Sequence, residues 1–175
     1  ALEKLEKIEN NFSKVMQEEM QNMWAKKLGL DKFDVDLFEE LINLMIDTKV
    51  DYTIFFRELS NIPHNLSSIE KSFYGSLKNE IIIERWNSWL EKWKSFININ
   101  DKESKQKLSN QMKLTNPKYT LREWHLVKVY QEAQNGNYQP VHELQEIMTN
   151  PYAEQTKEIE EKYYIKKPSD FFGIA

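Results

Sequence analysis

Between Ile82 and Phe96 every apolar side chain falls on one stripe of a helical wheel. Ile82, Ile83, Trp86, Trp89, Leu90, Trp93 and Phe96 recur at three- and four-residue steps, while Glu84, Glu91, Lys92 and Lys94 point away. A strand cannot bury this pattern, because its side chains alternate faces and would split the tryptophans between them. Three tryptophans in a row could form a ligand platform, but at helical spacing they read as a core face. The same period governs the rest of the chain. Only four glycines and five prolines occur, and they fall at boundaries rather than at a strand-like spacing.

Upstream, Leu2, Leu5, Ile8, Phe12, Val15, Met16, Met20 and Met23 occupy one half of a wheel. Lys26 and Lys27 sit where a C-terminal dipole favours cations, and Gly29 supplies the stop. Asp36 and Glu39 have capping-box spacing before the next apolar run. Asp51 is placed to cap a short helix carrying Ile54, Phe55 and Leu59, closed before Pro63. Asp101 starts a helix through Met112. Asn116-Pro117 and Asn150-Pro151 read as helix starts, since Asn favours the N-cap and Pro the first helical position. The first of them predicts a helix to Asn135 with Gly136 as its stop. Another helix begins near Pro140, with Val141, Leu144, Ile147 and Met148 inward. The expectation is an all-α, irregular bundle of about seven or eight helices. It comprises a single all-helical domain over residues 1–155 and a polar, surface-hugging C-terminal tail over 156–175.

Bulk properties narrow the function classes. Forty per cent of the residues are hydrophobic and 13% aromatic, which argues against intrinsic disorder. A net charge of −4 argues against a nucleic-acid binder, and the short basic groupings at Lys102, Lys105, Lys107 and at Lys166, Lys167 are interrupted or flanked by carboxylates. No cysteine is present, so thiolate nucleophiles and zinc-thiolate sites are excluded. No apolar run reaches the ~18 residues of a membrane span, and no secretory signal appears. A start at Ala1 rather than Met suggests processing, or a fragment of something longer.

Gly29, Gly75, Gly136 and Gly173 are too dispersed for a phosphate loop. Asp170-Phe171-Phe172-Gly173 has one Phe too many for a kinase metal-binding motif and reads as coincidence. A di-iron bundle needs Glu three residues before each ligand His, but Asn61, Arg122 and Gln139 precede His64, His125 and His142. The histidines also lack metal-ligand spacing among themselves and read as structural. Arg122 is different. Leu121, Trp124, Leu126, Val127, Val129, Tyr130 and Ala133 spread round most of the wheel, so its helix should be well buried. A guanidinium there needs a carboxylate or several carbonyls, through either a structural ion pair or an anion or substrate contact.

The stretch "NPKYTLREWHLVKVYQEAQNGNYQPVHELQEIMTNPYAEQ" resembles the C-terminal signature of the selenoprotein O family. That pattern has an Asn-Pro-Lys/Arg-Tyr start, an aliphatic-Leu-Arg step, a Gly-Asp/Asn-Tyr/Phe turn and a final Pro-Tyr. Here it falls on Asn116, Pro117, Lys118, Tyr119, Leu121 and Arg122, then Gly136, Asn137 and Tyr138, then Pro151 and Tyr152. Upstream, "DYTIFFRELS" matches the family's Asp-Tyr-Thr, Phe-Arg and Leu-Ser segment, with Asp51, Tyr52 and Arg57, and "LGL" matches at Leu28 to Leu30. The similarity covers residues 28–155 in order. Glu123 stands where the family usually has Asn. The chain ends in "FFGIA", without the Cys or selenocysteine redox motif of some members.

The resemblance implies a pseudokinase: a kinase-like protein adenylyltransferase that binds ATP and Mg²⁺ and transfers AMP to Ser, Thr or Tyr hydroxyls of proteins. The parts for that reaction belong to the family's N-terminal and central regions, and none matches here. The chain then looks like the helical C-terminal part, supporting the catalytic core and inert alone in AMP transfer. No catalytic, cofactor-binding or metal residue carries over. Asp51, Tyr52, Arg57, Asn116, Pro117, Tyr119, Arg122, Gly136, Pro151 and Tyr152 read mainly as structural. The implied partners are the parent's kinase-like core and protein substrates, with no nucleic acid and no membrane. The implied compartment is the cytoplasm in a bacterium or the mitochondrion in a eukaryote. A free-standing helical module that recognises a partner helix is the alternative.

Overall fold

The tryptophan stripe forms the centre of the larger of two hydrophobic clusters. In the computed structural model, which describes residues 2–169 and 171 and the side chains from Asn11 on, Trp86, Trp89 and Trp93 are each 2% exposed or less. They lie on α4 (Glu80–Phe96), which Asn79 caps through the backbone N–H groups of Ile81 and Ile82. Trp93 stacks on Trp89 with ring planes 5° apart, and Trp86 meets Phe55 and Phe73. Two indoles also satisfy backbone carbonyls: Trp89 Nε1 donates to Leu37 O at 2.9 Å and Trp93 Nε1 to Leu28 O at 2.8 Å. Such a partner stabilises a core indole, because a buried unpaired N–H costs about 1–3 kcal/mol; Trp86 Nε1 has none.

The carbonyl acceptors come from α1 (Leu2–Leu28) and α2 (Val35–Thr48). Then follow α3 (Tyr52–Leu59), a 3₁₀ turn over Leu66–Ser72, α4, α5 (Lys102–Thr115), α6 (Glu123–Gln134), α7 (Gln139–Thr149) and α8 (Lys157–Tyr163). The described residues are all-α, with a lone antiparallel bridge between Val50 and Phe73. Leu37, Leu41, Leu44 and Met45 of α2 and Phe55, Phe56 and Leu59 of α3 join the tryptophans in the larger cluster. A smaller one gathers Ile54, Tyr119, Val129, Leu144, Ile147, Tyr163 and Tyr164. Helix α3 therefore faces both. Gly29 ends α1 at φ +68°, and a Cβ there would come within 2.7 Å of Met112 Sδ, so where α1 and α5 cross any other residue would be strained and would displace the Met112 side chain.

Several boundaries differ from the sequence reading. The cap of α2 is Asp34, whose carboxylate accepts from Leu37 N, and not Asp36. Helix α5 runs past Met112 to Thr115, with Asp101 and Ser104 completing a capping box. Asn116 and Asn150 are C-caps that close α5 and α7, not N-caps that open helices. The dipeptide is ambiguous for a physical reason. Proline lacks the N–H that a helix interior requires, so it suits the residue after a stop as well as the first residue after a start. It also forces the preceding residue toward extended backbone, and Asn116 adopts φ −103° and ψ 101°. The next helix, α6, starts only at Glu123, with Arg122 at its N-cap position. It is less buried than its composition suggests: only His125 and Val129 are fully enclosed, and Tyr130 is 56% exposed.

Within 156–175, where a polar tail was expected, Thr156 caps α8, and Tyr163 and Tyr164 are buried in the smaller cluster. Asp170 and Gly173 of the kinase-like tetrapeptide, and the side chains of Leu2, Leu5 and Ile8, lie outside the described residues. From Asn11 to Met23 every residue of α1 is exposed, including Phe12 at 63% and Met20 at 48%.

Candidate functional site

Residues far apart in sequence converge on a polar layer beside α3. Asp51 caps that helix, its Oδ1 accepting from Ile54 N at 3.0 Å. The same carboxylate takes both arms of Arg122, with Nη1 donating to Oδ2 at 2.6 Å and Nη2 to Oδ1 at 2.9 Å. Tyr74 Oη also donates to Oδ2, at 3.0 Å. Burial alone would raise the Asp51 pKa, but the hydrogen bonds from Arg122 and Ile54 and the charge of Arg122 outweigh it and hold the carboxyl below its ordinary value. The guanidinium further lies 5.0 Å over the Trp124 ring.

Asn116 is fully buried and acts as a cross-link. Its Oδ1 accepts from Lys27 Nζ at 2.8 Å, and its Nδ2 donates to Lys27 O and Ser60 Oγ, so it joins the ends of α1, α3 and α5. Burial pushes the Lys27 amine down to about 8, and the Tyr52 and Phe56 rings lie within 5.2 Å of it. Arg57, 2% exposed, donates to Lys113 O and Asn116 O and to Glu154 Oε1 at 2.7 Å. Glu154 also accepts from Lys118, which bridges to Glu160. Burial raises the Glu154 pKa, but the hydrogen bonds and charges of Lys118 and Arg57 win and pull it down to about 2.

The two Asn-Pro stretches meet. Pro151 O accepts from Lys118 N at 2.9 Å and from Tyr119 N at 3.0 Å, so each stretch stops its own helix and the backbones then dock. Pro117 is half-buried and Tyr119 is buried. Tyr52, 45% exposed, packs on Phe56 and Trp24. Gly136 ends α6 at φ +84°, and Tyr152 is 42% exposed; neither joins the polar layer. Sequence reasoning missed Glu154, Lys27 and Ser60. No periodic pattern marks them, because they hydrogen-bond or neutralise partners some 30 to 100 residues away.

Of the histidines, His64 and His142 are exposed and His125 is 6% exposed. Neither ring nitrogen of His125 has a protein hydrogen-bond partner. Burial, then the charges of Arg122, Lys128 and Lys162, lower its pKa from 6.5 to about 4, while Tyr163 of α8 supplies only a ring edge. The folded pKa lies below the unfolded one. Between pH 6.5 and about 4 the unfolded chain therefore binds a proton that the folded chain refuses, and stability falls as pH drops through that window. Screening considered, His125 should account for on the order of 2 kcal/mol of that loss. Urea unfolding of wild type and His125→Phe at pH 7 and at pH 4.5 checks this. The variant should lose clearly less stability on acidification, and parallel losses would refute the assignment. Glu154 titrates lower: its contribution holds above about 4.5 and disappears as pH falls toward 2.

Most charged groups of the layer are paired within it. Each of its carboxylates is already bound by a cation, and no group of three or more His, Asp or Glu among the described residues could hold a metal. These residues do not fit ATP with Mg²⁺, whose phosphates need unpaired cations beside metal-bound carboxylates. Among the described residues no helix is long and apolar enough to cross a membrane.

Known proteins share much of this chain. A protein called protein nucleotidyltransferase YdiU, from Aromatoleum aromaticum, is 32% identical over 156 residues, 82% of this chain and 28% of the relative. The one from Flavobacterium johnsoniae is 31% identical over 176 residues, 95% of this chain and 33% of the relative. The chain thus spans about a third of the length of the curated relatives it matches. The family model described as protein adenylyltransferase SelO matches residues 1–149, which takes in α1 through α7 with Asp51, Arg57, Asn116 and Arg122. On that match, the chain belongs to the SelO family of protein adenylyltransferases.

Proposed function

We propose that this chain is the helical C-terminal part of a SelO-type protein adenylyltransferase, which packs against the kinase-like catalytic part and supports it without transferring AMP itself. The observation that carries the reading is the bare apolar face of α1. Phe12, Met16, Met20 and Met23 recur at four-, four- and three-residue steps, Val15 lies beside them, and they are 37% to 63% exposed. Helix α1 is about 40 Å long, and among its described side chains only those of the last turn are enclosed, at Ala25, Lys27 and Leu28. A contiguous apolar face of this kind marks a surface with a neighbour, and the relatives have about two-thirds of their length to supply one. The polar layer supports the second half of the proposal, because each of its carboxylates is already bound by a cation.

ATP and Mg²⁺ would be held by the rest of the protein, and its substrates would be protein hydroxyls. The relatives named above are bacterial, which favours the cytoplasm of the two compartments the resemblance implies. A paired assay with labelled ATP and Mg²⁺ tests the reading. The intact parent should transfer label to protein and this chain should not, a difference of at least ~10³-fold if the whole phosphoryl-handling apparatus lies elsewhere. Transfer by this chain alone would overturn it.

A further inference from the structure

A cleft of about 470 Å³ opens between α6, the start of α7 and α8. Its size falls within the range of small-molecule sites, about 300–1,000 Å³. Trp124, His125 and Tyr163 form an aromatic wall, with Lys128 and Lys162 among the other lining residues. Five buried side-chain polar atoms among the described residues lack a protein partner, and three of these belong to the adjacent pair Trp124 and His125: one indole nitrogen and both imidazole nitrogens. Each such atom costs about 1–3 kcal/mol, and folded proteins carry few of them. In the larger cluster Trp89 and Trp93 both reach a carbonyl and Trp86 contributes a single unpaired nitrogen, so among the described residues three such atoms gather only on this wall.

The charges at the cleft are equally uneven. Lys162 is shared with Glu143 at 2.5 Å, Arg122 with Asp51, and Glu132 with the Asn137 amide at 2.8 Å. Lys128 is exposed and has no carboxylate partner among the described residues. One free ammonium beside an aromatic wall suits one negative charge on a flat body. A dianion would meet Glu132 and find no second free cation among the described lining residues. We propose that this cleft binds a small aromatic carboxylate, its ring against Trp124, His125 and Tyr163 and its charge on Lys128. The buried indole and imidazole nitrogens then serve the ligand's polar edge after a small rotation of either ring. This site is independent of AMP transfer.

The test uses the chain as it is, with 2-naphthoate as probe and the neutral 2-naphthalenemethanol as its isostere. Calorimetry should show one saturable naphthoate site at millimolar concentration or tighter, with the alcohol about tenfold weaker, as the loss of a single charge-assisted contact implies. Lys128→Gln, an exposed substitution that leaves the fold untouched, should bring the acid down to the level of the alcohol. In NMR spectra the Trp124 indole proton should shift more than those of Trp24, Trp86, Trp89 and Trp93. Absence of saturable binding would overturn the proposal. So would equal affinity for acid and alcohol, an unaffected Lys128→Gln variant, or a shift centred on another tryptophan.

Discussion

Asp51→Ala should lower the unfolding free energy by about 3–5 kcal/mol at neutral pH, the range for a buried ion pair that loses one partner. The Asp51 and Arg122 side chains are 3% and 10% exposed, so water cannot replace the carboxylate. The alanine would also strip the cap from Ile54 N and the acceptor from Tyr74. A cap alone is worth about 1 kcal/mol. The dominant loss is therefore the stranded guanidinium, and this yields a sharper expectation. Removing both charges together, as Asp51→Ala with Arg122→Met, should cost no more than Asp51→Ala alone and far less than the sum of the single changes. Urea titration of the four proteins decides the matter. Additive losses would mean that Asp51 acts as a cap and Arg122 as packing, with no useful pairing between them.

Trp93→Ala is expected to cost about 3–5 kcal/mol, the usual range for deleting a fully buried tryptophan. The more informative comparison is between two indoles of equal burial. Trp93 and Trp86 are both 0% exposed, but Trp93 donates to Leu28 O while Trp86 Nε1 has no partner. Replacement by phenylalanine removes a hydrogen bond in one case and an unsatisfied donor in the other. Trp93→Phe should thus be the worse change by about 1–2 kcal/mol. Equal losses would show that volume alone decides stability in this core.

The α4 stripe was legible because burial on one face of a regular helix is a local, periodic fact. Trp86, Trp89 and Trp93 announce it without any knowledge of what lies opposite. Asp51 was legible as a cap for the same reason, since its partner is three residues away. Its second role was not, because Arg122 is 71 residues distant and only the fold brings the two together. The Asn-Pro stretches failed in an instructive way. Proline reports that a helix breaks nearby but not on which side, and only the burial of the Asn116 amide among Lys27 and Ser60 decides for a stop. The apolar half of α1 was visible too. That its stretch from Phe12 to Met23 remains bare could not be read from a pattern that looks the same whether or not it is covered.

Connecting loops usually absorb insertions and deletions without much effect, because their backbones are bound mainly to water. The segment between α7 and α8 should be an exception. Its Pro151 carbonyl is the acceptor for two amides of the α5–α6 connection, and three residues later Glu154 closes on Arg57 and Lys118. One added or missing residue between those two points would carry one anchor out of reach while the other held. The spacing from Pro151 to Glu154 is therefore a ruler, and length variation among related chains should be displaced to the turn at Gly136, where the surrounding space is open.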